Sequence, residues 1–545
     1  MDPEIFLKAK TFHELALALF KVHGDKPAYI NGHDGSTIST YADLYVNSNR
    51  FAHFLVSHAG LKHQQVVASL LPNCEHFFPV HVGTSAAGGV FTGISTQFTP
   101  HEVRYQLTNS NAVVVVTQRS YLPVIFEVAP HCPDLKIVMV IDGRVPEVPQ
   151  SGAHLRIFDW DHLRNFSVNP VPALYPPIDP INDLCWLPYS SGTTGLPKGV
   201  MHTHKGYLLH YLLVIKNAIQ NASNLDLAES THSLLFLPFY HAMGFFSVWS
   251  AHIRGHALIL LDKFHFSTVL GLVQKYKLQA LAGVPSLLHR LARDPAVEKY
   301  DLSSIRVISS GGSKLDDETA AKMKQRFPNL IKIAQGYGMT EFVTIITVSD
   351  LSPDEPVGSC GKALEHVSIK IVNPETEQKC PEGFTGEIRV KAPYVMKGYW
   401  RASKATSESF DNEGYYKTGD IGRVTPSGYL IITDRIKDLI KVKGLQVPPA
   451  EIEEVLLDCP GLADAAVVGV PDATHGEIPK AFVVKASDDL TEEIVVNYVA
   501  ERLSHYKHLK GGVHFIDEIP RTPAGKIQRR VLRDLHDDNK NKAKL

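Results

Sequence analysis

Tyr189-Ser190-Ser191-Gly192-Thr193-Thr194-Gly195-Leu196-Pro197-Lys198-Gly199 is the stretch on which the reading of this chain turns. An apolar run over 184–187 leads into it and reads as a short buried strand. A longer run over 204–219 follows with helical character. The loop between them is rich in hydroxyls and glycines. Glycine permits positive φ and close approach of the backbone to a bulky anion. Serine and threonine hydroxyls and exposed N–H groups can donate to phosphate oxygens, and Lys198 adds a charge. The pattern G-x-x-x-x-G-K-[ST] is not met: Pro197 stands where its second glycine belongs, and Gly199 follows Lys198.

Moving outward, apolar strands alternate with helices. Strands are predicted over 66–70, 89–94, 113–117 and 137–141, with a helix over 75–87. The alternation returns with strands over 234–237, 305–309 and 330–334 and an amphipathic helix over 316–327. Such alternation predicts parallel sheets covered by helices. Ligands of parallel sheets gather beyond the carboxyl ends of the strands. Here those ends carry Pro238-Phe239-Tyr240-His241, Gly311-Gly312-Ser313 and Gln335-Gly336-Tyr337-Gly338-Met339-Thr340-Glu341. The region 357–432 reads as short strands and glycine turns, a small β subdomain. From 433 onward a compact α+β pattern of about a hundred residues follows, within ordinary domain size.

Composition narrows the classes. With 545 residues, 44% hydrophobic, 21% charged and a net charge of −2, the chain reads as a globular enzyme with no general nucleic-acid affinity. Its six cysteines show no CxxC spacing, which argues against a zinc site or disulfide framework. The 27 histidines form no HExxH pair. No apolar run reaches about 18 residues, and residues 1–10 lack a signal-peptide core. The final Ala543-Lys544-Leu545 differs from Ser-Lys-Leu by one small-for-small exchange. The peroxisome, reached through its import receptor, is therefore the expected location, with the cytoplasm otherwise.

The opening string resembles the phosphate-binding signature of the adenylate-forming superfamily: acyl-CoA synthetases, 4-coumarate–CoA ligases, beetle luciferases and peptide-synthetase adenylation domains. The resemblance runs through five motifs in family order. It implies an α/β fold: a large N-terminal domain (1–435) of parallel α/β subdomains plus a small β subdomain, then a small mobile α+β domain (436–545). It implies that Ser190, Ser191, Gly192, Thr193, Thr194, Gly195 and Lys198 hold ATP phosphates. Gly336, Tyr337, Gly338 and Thr340 flank the adenine and phosphate, and Glu341 with Thr194 holds Mg2+. Asp420 and Arg435 take the ribose, and Lys526 bridges the substrate carboxylate and α-phosphate. Lys441, Lys443, Gly444 and Gln446 face CoA, with Lys437 as the hinge; read without the resemblance, this lysine cluster is a solvated basic face. His241, Phe245, Gly312, Ser313, Tyr337 and Ile345 line the acyl slot.

The chain also departs from its relatives. Phe342-Val343-Thr344-Ile345 follows Glu341, where 4-coumarate ligases tend to have small residues. His210 stands where beetle luciferases have arginine. The expected function is an ATP-, Mg2+- and CoA-dependent acyl-CoA synthetase for a medium- or long-chain fatty acid. The alternatives are an aromatic-acid ligase like the 4-coumarate ligases, a luciferase-like monooxygenase, and a nucleotide- or acyl-binding pseudo-enzyme. The last predicts loss of Lys526, Glu341 or Asp420, and all three are present.

Overall fold

The computed structural model describes the whole chain except residues 1–2, 144–148, 170–174, 191–196, 223–230, 262–263, 312–314, 316, 437, 443–444, 473–474, 523–524 and 543–545. Period-two patterning explains its first layer. Val67, Val114 and Val116 point to a core shared with Phe51, Phe54 and Phe78. Their neighbours Val66, Ala68 and Val115 point to another, shared with Val103, Leu107 and Ile125. A sheet apolar on both faces must be covered on both. Helices Tyr41–Ser57 and Phe77–Ala86 cover one face, Pro100–Ser110 and Leu122–Val128 the other. The sheet has seven strands in the order His202–Thr203, Leu184–Trp186, Val90–Gly93, Val66–Leu70, Ala112–Thr117, Ile137–Val140 and Arg156–Asp159. All neighbours are parallel except the edge strand His202–Thr203. The strand entering the hydroxyl-rich loop thus belongs to this sheet, and helix His204–Ala222 leaves it.

A four-stranded sheet joins His232–Leu234, Ala257–Leu260, Pro27–Asn31 and Thr37–Thr40. The predicted strand over 234–237 ends early, at Leu234.

The parallel unit at 280–337 and the β subdomain turn out to be one nine-stranded sheet. The strand Lys332–Tyr337 pairs parallel with Val307–Ser310 along its first residues. At Gly336 and Tyr337 it pairs antiparallel with Thr347–Val348. The sheet therefore changes direction at the Gly-Tyr-Gly signature. The strand runs three residues further than the sequence pattern suggested, because Thr347–Val348 supplies a partner for what reads locally as a turn.

The C-terminal region is α+β. Leu445–Val447, Ile440–Val442, Gly476–Lys485 and Leu462–Asp472 form the sheet, Val513–Phe515 pairs parallel with Gly476–Lys485, and helices Pro449–Leu457, Glu492–Ala500 and Arg529–Lys542 accompany it. Its contacts with the large region include two that bear on the site. Gly525, at φ 79°, brings the loop before Lys526 against Val284; a Cβ there would lie 3.0 Å from that side chain. The Ala450 N–H donates to Asp434 Oδ2 at 3.3 Å.

Candidate functional site

The hydroxyl-rich loop is closed at its base by a two-residue ladder, Lys198 opposite Ser190 and Gly199 opposite Tyr189. Ser191, Gly192, Thr193, Thr194 and Gly195 lie outside the described residues. The Ser190 hydroxyl is buried and finds no partner among the described residues, which suits a donor reserved for a ligand. The base is braced from helix Pro100–Ser110. Tyr105 donates to the Pro197 carbonyl at 2.9 Å, and Tyr189 donates to Asn109 Oδ1 at 2.6 Å. The segment 397–400 then zips to the loop's exit: the Met201 N–H donates to Gly398, Lys397 to Met201 and Trp400 to Gly199.

The second signature sits where the nine-stranded sheet changes direction. Gly338 admits no side chain: a Cβ would overlap the Thr344 carbonyl oxygen and lie 2.7 Å from its carbonyl carbon. The Tyr337 hydroxyl donates to Asp420 Oδ2 at 2.6 Å, and Arg435 Nε meets Asp420 Oδ1 at 2.9 Å. Asp420 and Arg435 are cross-strand partners, so the pair is set by register. Each carboxylate oxygen has two lone pairs, so Asp420 can still accept ribose hydroxyls.

Glu341 is 5% exposed. Its Oε1 accepts from the Tyr399 hydroxyl at 2.8 Å, and the Tyr399 and Tyr416 hydroxyls lie 2.8 Å apart. Lys198 Nζ stands 5.1 Å from the centre of the Tyr399 ring. The Thr340 carbonyl accepts from His202 Nε2 at 2.8 Å; that imidazole stacks on Trp186, and burial holds its pKa down at about 4. A neutral imidazole facing a carbonyl carries its proton on that nitrogen. Sequence reading missed Tyr399, Tyr416 and His202. A buried carboxylate beside a phosphate-binding loop is an all-oxygen donor set of the kind Mg2+ prefers.

His241 caps helix Ala242–Arg254, its Nδ1 accepting from the Met243 N–H at 3.4 Å. Its pKa is lowered to about 4, first by burial and then by the charge of Lys526. The charge of Lys526, from the C-terminal region, is thus felt at His241, 285 positions earlier in the chain. Asn73 braces the preceding turn, accepting from the Phe239 N–H at 2.9 Å and donating to the Leu237 carbonyl at 2.9 Å.

The residues expected at the slot are placed as follows. Phe245 is fully buried, stacked on Trp186 at 4.5 Å and on Phe78 at 5.0 Å, and is part of the core. Tyr337 is buried and gives its hydroxyl proton to Asp420. Ile345 is half-buried, and its carbonyl accepts from Tyr394 at 2.9 Å. Gly312 and Ser313 lie outside the described residues. Phe342, which stands where 4-coumarate ligases tend to have a small residue, is buried edge-on against Tyr416 and Tyr394. Val343 is buried too, at φ 61° and ψ −64° in a tight turn closed by the Thr344 N–H donating to the Phe342 carbonyl at 2.6 Å. A β-branched residue at positive φ is strained. His210 donates to or accepts from Thr344 Oγ1 at 2.7 Å.

In the C-terminal region Lys441 is exposed and pairs across its hairpin with Gln446. Lys443, Gly444 and Lys437 lie outside the described residues.

Asp434 sits at the junction. Its carboxylate accepts from the Arg435 and Ala450 N–H groups, with Glu453 and Arg529 nearby. Burial pushes its pKa up to about 6. A raised carboxyl pKa makes the charged form a cost in the folded chain. The cost is present above about pH 6 and fades as pH falls toward 4, where the unfolded group titrates. It amounts to roughly 3 kcal/mol at pH 7.5. The stability of Asp434→Asn relative to the unsubstituted chain is therefore expected to rise by roughly 2 kcal/mol from pH 4.5 to pH 7.5, read by urea denaturation at each pH. Parallel pH curves would contradict this assignment.

Known proteins fit this arrangement. The family described as AMP-binding enzyme matches residues 18–400, and the AMP-binding enzyme C-terminal domain matches 451–526. The 4-coumarate–CoA ligase 2 of Nicotiana tabacum is 35% identical over 538 residues, covering 97% of this chain and 95% of that protein. The structure of an anthranilate–CoA ligase with anthranoyl-AMP aligns at TM-score 0.82 and 25% identity, covering 97% of this chain and 98% of that one. MatB of Rhodopseudomonas palustris, 29% identical, covers 96% of this chain and 99% of its own; its ATP-bound form aligns at TM-score 0.80 and its apo form at 0.69. The chain belongs to the AMP-binding, adenylate-forming enzyme family and is an ATP-dependent, AMP-forming acid–CoA ligase.

Proposed function

We propose that the acid activated is aromatic. The expectation of a medium- or long-chain fatty acid yields here, because curated relatives at 34–37% identity over at least 93% of the chain are named as 4-coumarate–CoA ligases. The observation that carries the reading is the orientation of Phe342 and Val343. Both are turned into cores, so the bulk after Glu341 does not close the slot to a planar ring.

In this reading the large domain, 1–435, binds ATP through the loop at 190–198, Thr340 and the Asp420–Arg435 pair. Glu341, with Thr194, would hold Mg2+, which neutralises the triphosphate as charge moves onto pyrophosphate. Lys526 draws the substrate carboxylate and the α-phosphate together. A carboxylate oxygen bonds to the α-phosphorus, the bond to pyrophosphate breaks, and the acyl–AMP anhydride results. The small domain, 436–545, then pivots at Lys437 and presents Lys441, Lys443, Gly444 and Gln446 to CoA. The thiolate sulfur bonds to the acyl carbon, and AMP leaves with the electron pair. His241 stays a neutral polar wall of the slot. Ala543-Lys544-Leu545 would serve as a peroxisomal address.

The test is pyrophosphate release with a panel of acids. The kcat/KM for 4-coumarate, cinnamate or anthranilate is expected to exceed that for hexanoate, laurate and palmitate by tenfold or more, about 1.4 kcal/mol of discrimination. A clear preference for the alkyl acids would reverse the reading.

A further inference from the structure

Building on the ligase reading above, we propose that Tyr399 is a positioning residue that sets the Glu341 carboxylate for its metal and ties that setting to the exit of the phosphate loop. Three contacts converge on this one side chain. Its hydroxyl donates to Glu341 Oε1 at 2.8 Å. The Tyr416 hydroxyl stands 2.8 Å behind it. Lys198 lies over its ring at 5.1 Å. Its backbone is fixed from the other side, bridged to Val200 and flanked by the Trp400 N–H donating to Gly199.

Glu341 sits on a short turn, Thr340–Phe342, that does not by itself fix a carboxylate. A buried carboxylate with one oxygen engaged has its rotamer chosen for it, leaving its coordinating edge aimed in one direction. Each phenolic hydroxyl has one proton to give and lone pairs to accept. Tyr416 donates to Tyr399, and Tyr399 donates to Glu341. The chain of hydroxyls polarises toward the carboxylate. Lys198, paired opposite Ser190 at the loop's base, reports the loop's position to the same ring. An incoming triphosphate and the metal carboxylate therefore share one support.

Tyr399→Phe keeps the ring beneath Lys198 and removes only the hydroxyl. In ATP–pyrophosphate exchange with the best acid of the panel, the apparent Mg2+ requirement is expected to rise by about tenfold or more. The KM for ATP at saturating Mg2+, and thioester formation from supplied acyl-adenylate and CoA, are expected to stay within about twofold. Binding of Mn2+ in the presence of a non-hydrolysable ATP analogue, read as free Mn2+ by electron paramagnetic resonance, should weaken in parallel with no turnover involved. Tyr416→Phe leaves the Tyr399–Glu341 bond and removes its backing. It should shift both measurements the same way by a smaller factor, and it decides the matter if Tyr399→Phe does not fold. An unchanged metal dependence in either measurement, or equal loss of both half-reactions, overturns the proposal. Unsubstituted protein that never exchanges pyrophosphate overturns the ligase reading itself.

Discussion

Lys526→Ala is expected to lower acyl-adenylate formation by about 10²–10³-fold, the usual consequence of deleting one preorganised charge from a transition state. Thioester formation from supplied acyl-adenylate and CoA should remain within a few-fold. The asymmetry follows from geometry. Lys526 arrives on a loop of the C-terminal region, next to Thr522, and is felt electrostatically by His241 on the large region. It belongs to no core cluster, so its removal leaves no cavity. In the proposed reading the adenylation step joins two anions and needs the cation, whereas attack of a thiolate on the anhydride would call on a different face of the small domain. Separate assays of pyrophosphate release and of acyl-CoA from synthetic adenylate distinguish the two. Equal loss in both would remove Lys526 from its assigned role.

Gly338→Ala is expected to abolish both half-reactions and to destabilise the large domain by about 3 kcal/mol. The added methyl meets backbone on every side: the Thr344 carbonyl, and Ile345 Cα at 2.9 Å. That backbone has nowhere to retreat. The turn through Val343 already sits at positive φ, and Thr344 is held by His210 at 2.7 Å. Yielding would shift the segment between Tyr337 and Glu341, which carries both the Asp420 contact and the Tyr399 contact. Urea denaturation and the two half-reaction assays read the two effects. A folded, active Gly338→Ala protein would mean that the Thr344 turn is far softer than its hydrogen bonds suggest.

The parts of this site legible in the sequence are those with a local chemical signature. The loop at 189–199 announces itself through hydroxyls, glycines and a lysine between a strand and a helix, and that placement agrees with the structure. Asp420 and Lys526 likewise stand in glycine-bearing turns that read as ligand-facing. Tyr399, Tyr416 and His202 left no such trace, because each acts through a contact made elsewhere in the chain: Tyr399 on Glu341, His202 on the Thr340 carbonyl. A single tyrosine or histidine carries no spacing rule that foretells such pairing. The core packing of Phe245 did have a signal in the sequence. Phe245, Val248, Trp249 and His252 follow the i, i+3, i+4, i+7 stripe of a buried helical face, and all four are buried. The fusion of the parallel and antiparallel strands into one sheet was illegible for another reason: it hinges on the two-residue strand Thr347–Val348, too short to show any period.

The charge of Lys526, felt at His241, couples the proton of that imidazole to the position of the loop that carries the lysine. The ammonium depresses the affinity of the imidazole for a proton, so by reciprocity a proton on the imidazole disfavours the ammonium's presence. Only below about pH 4, where His241 takes a proton, does seating of the loop that carries Lys526 become less favourable.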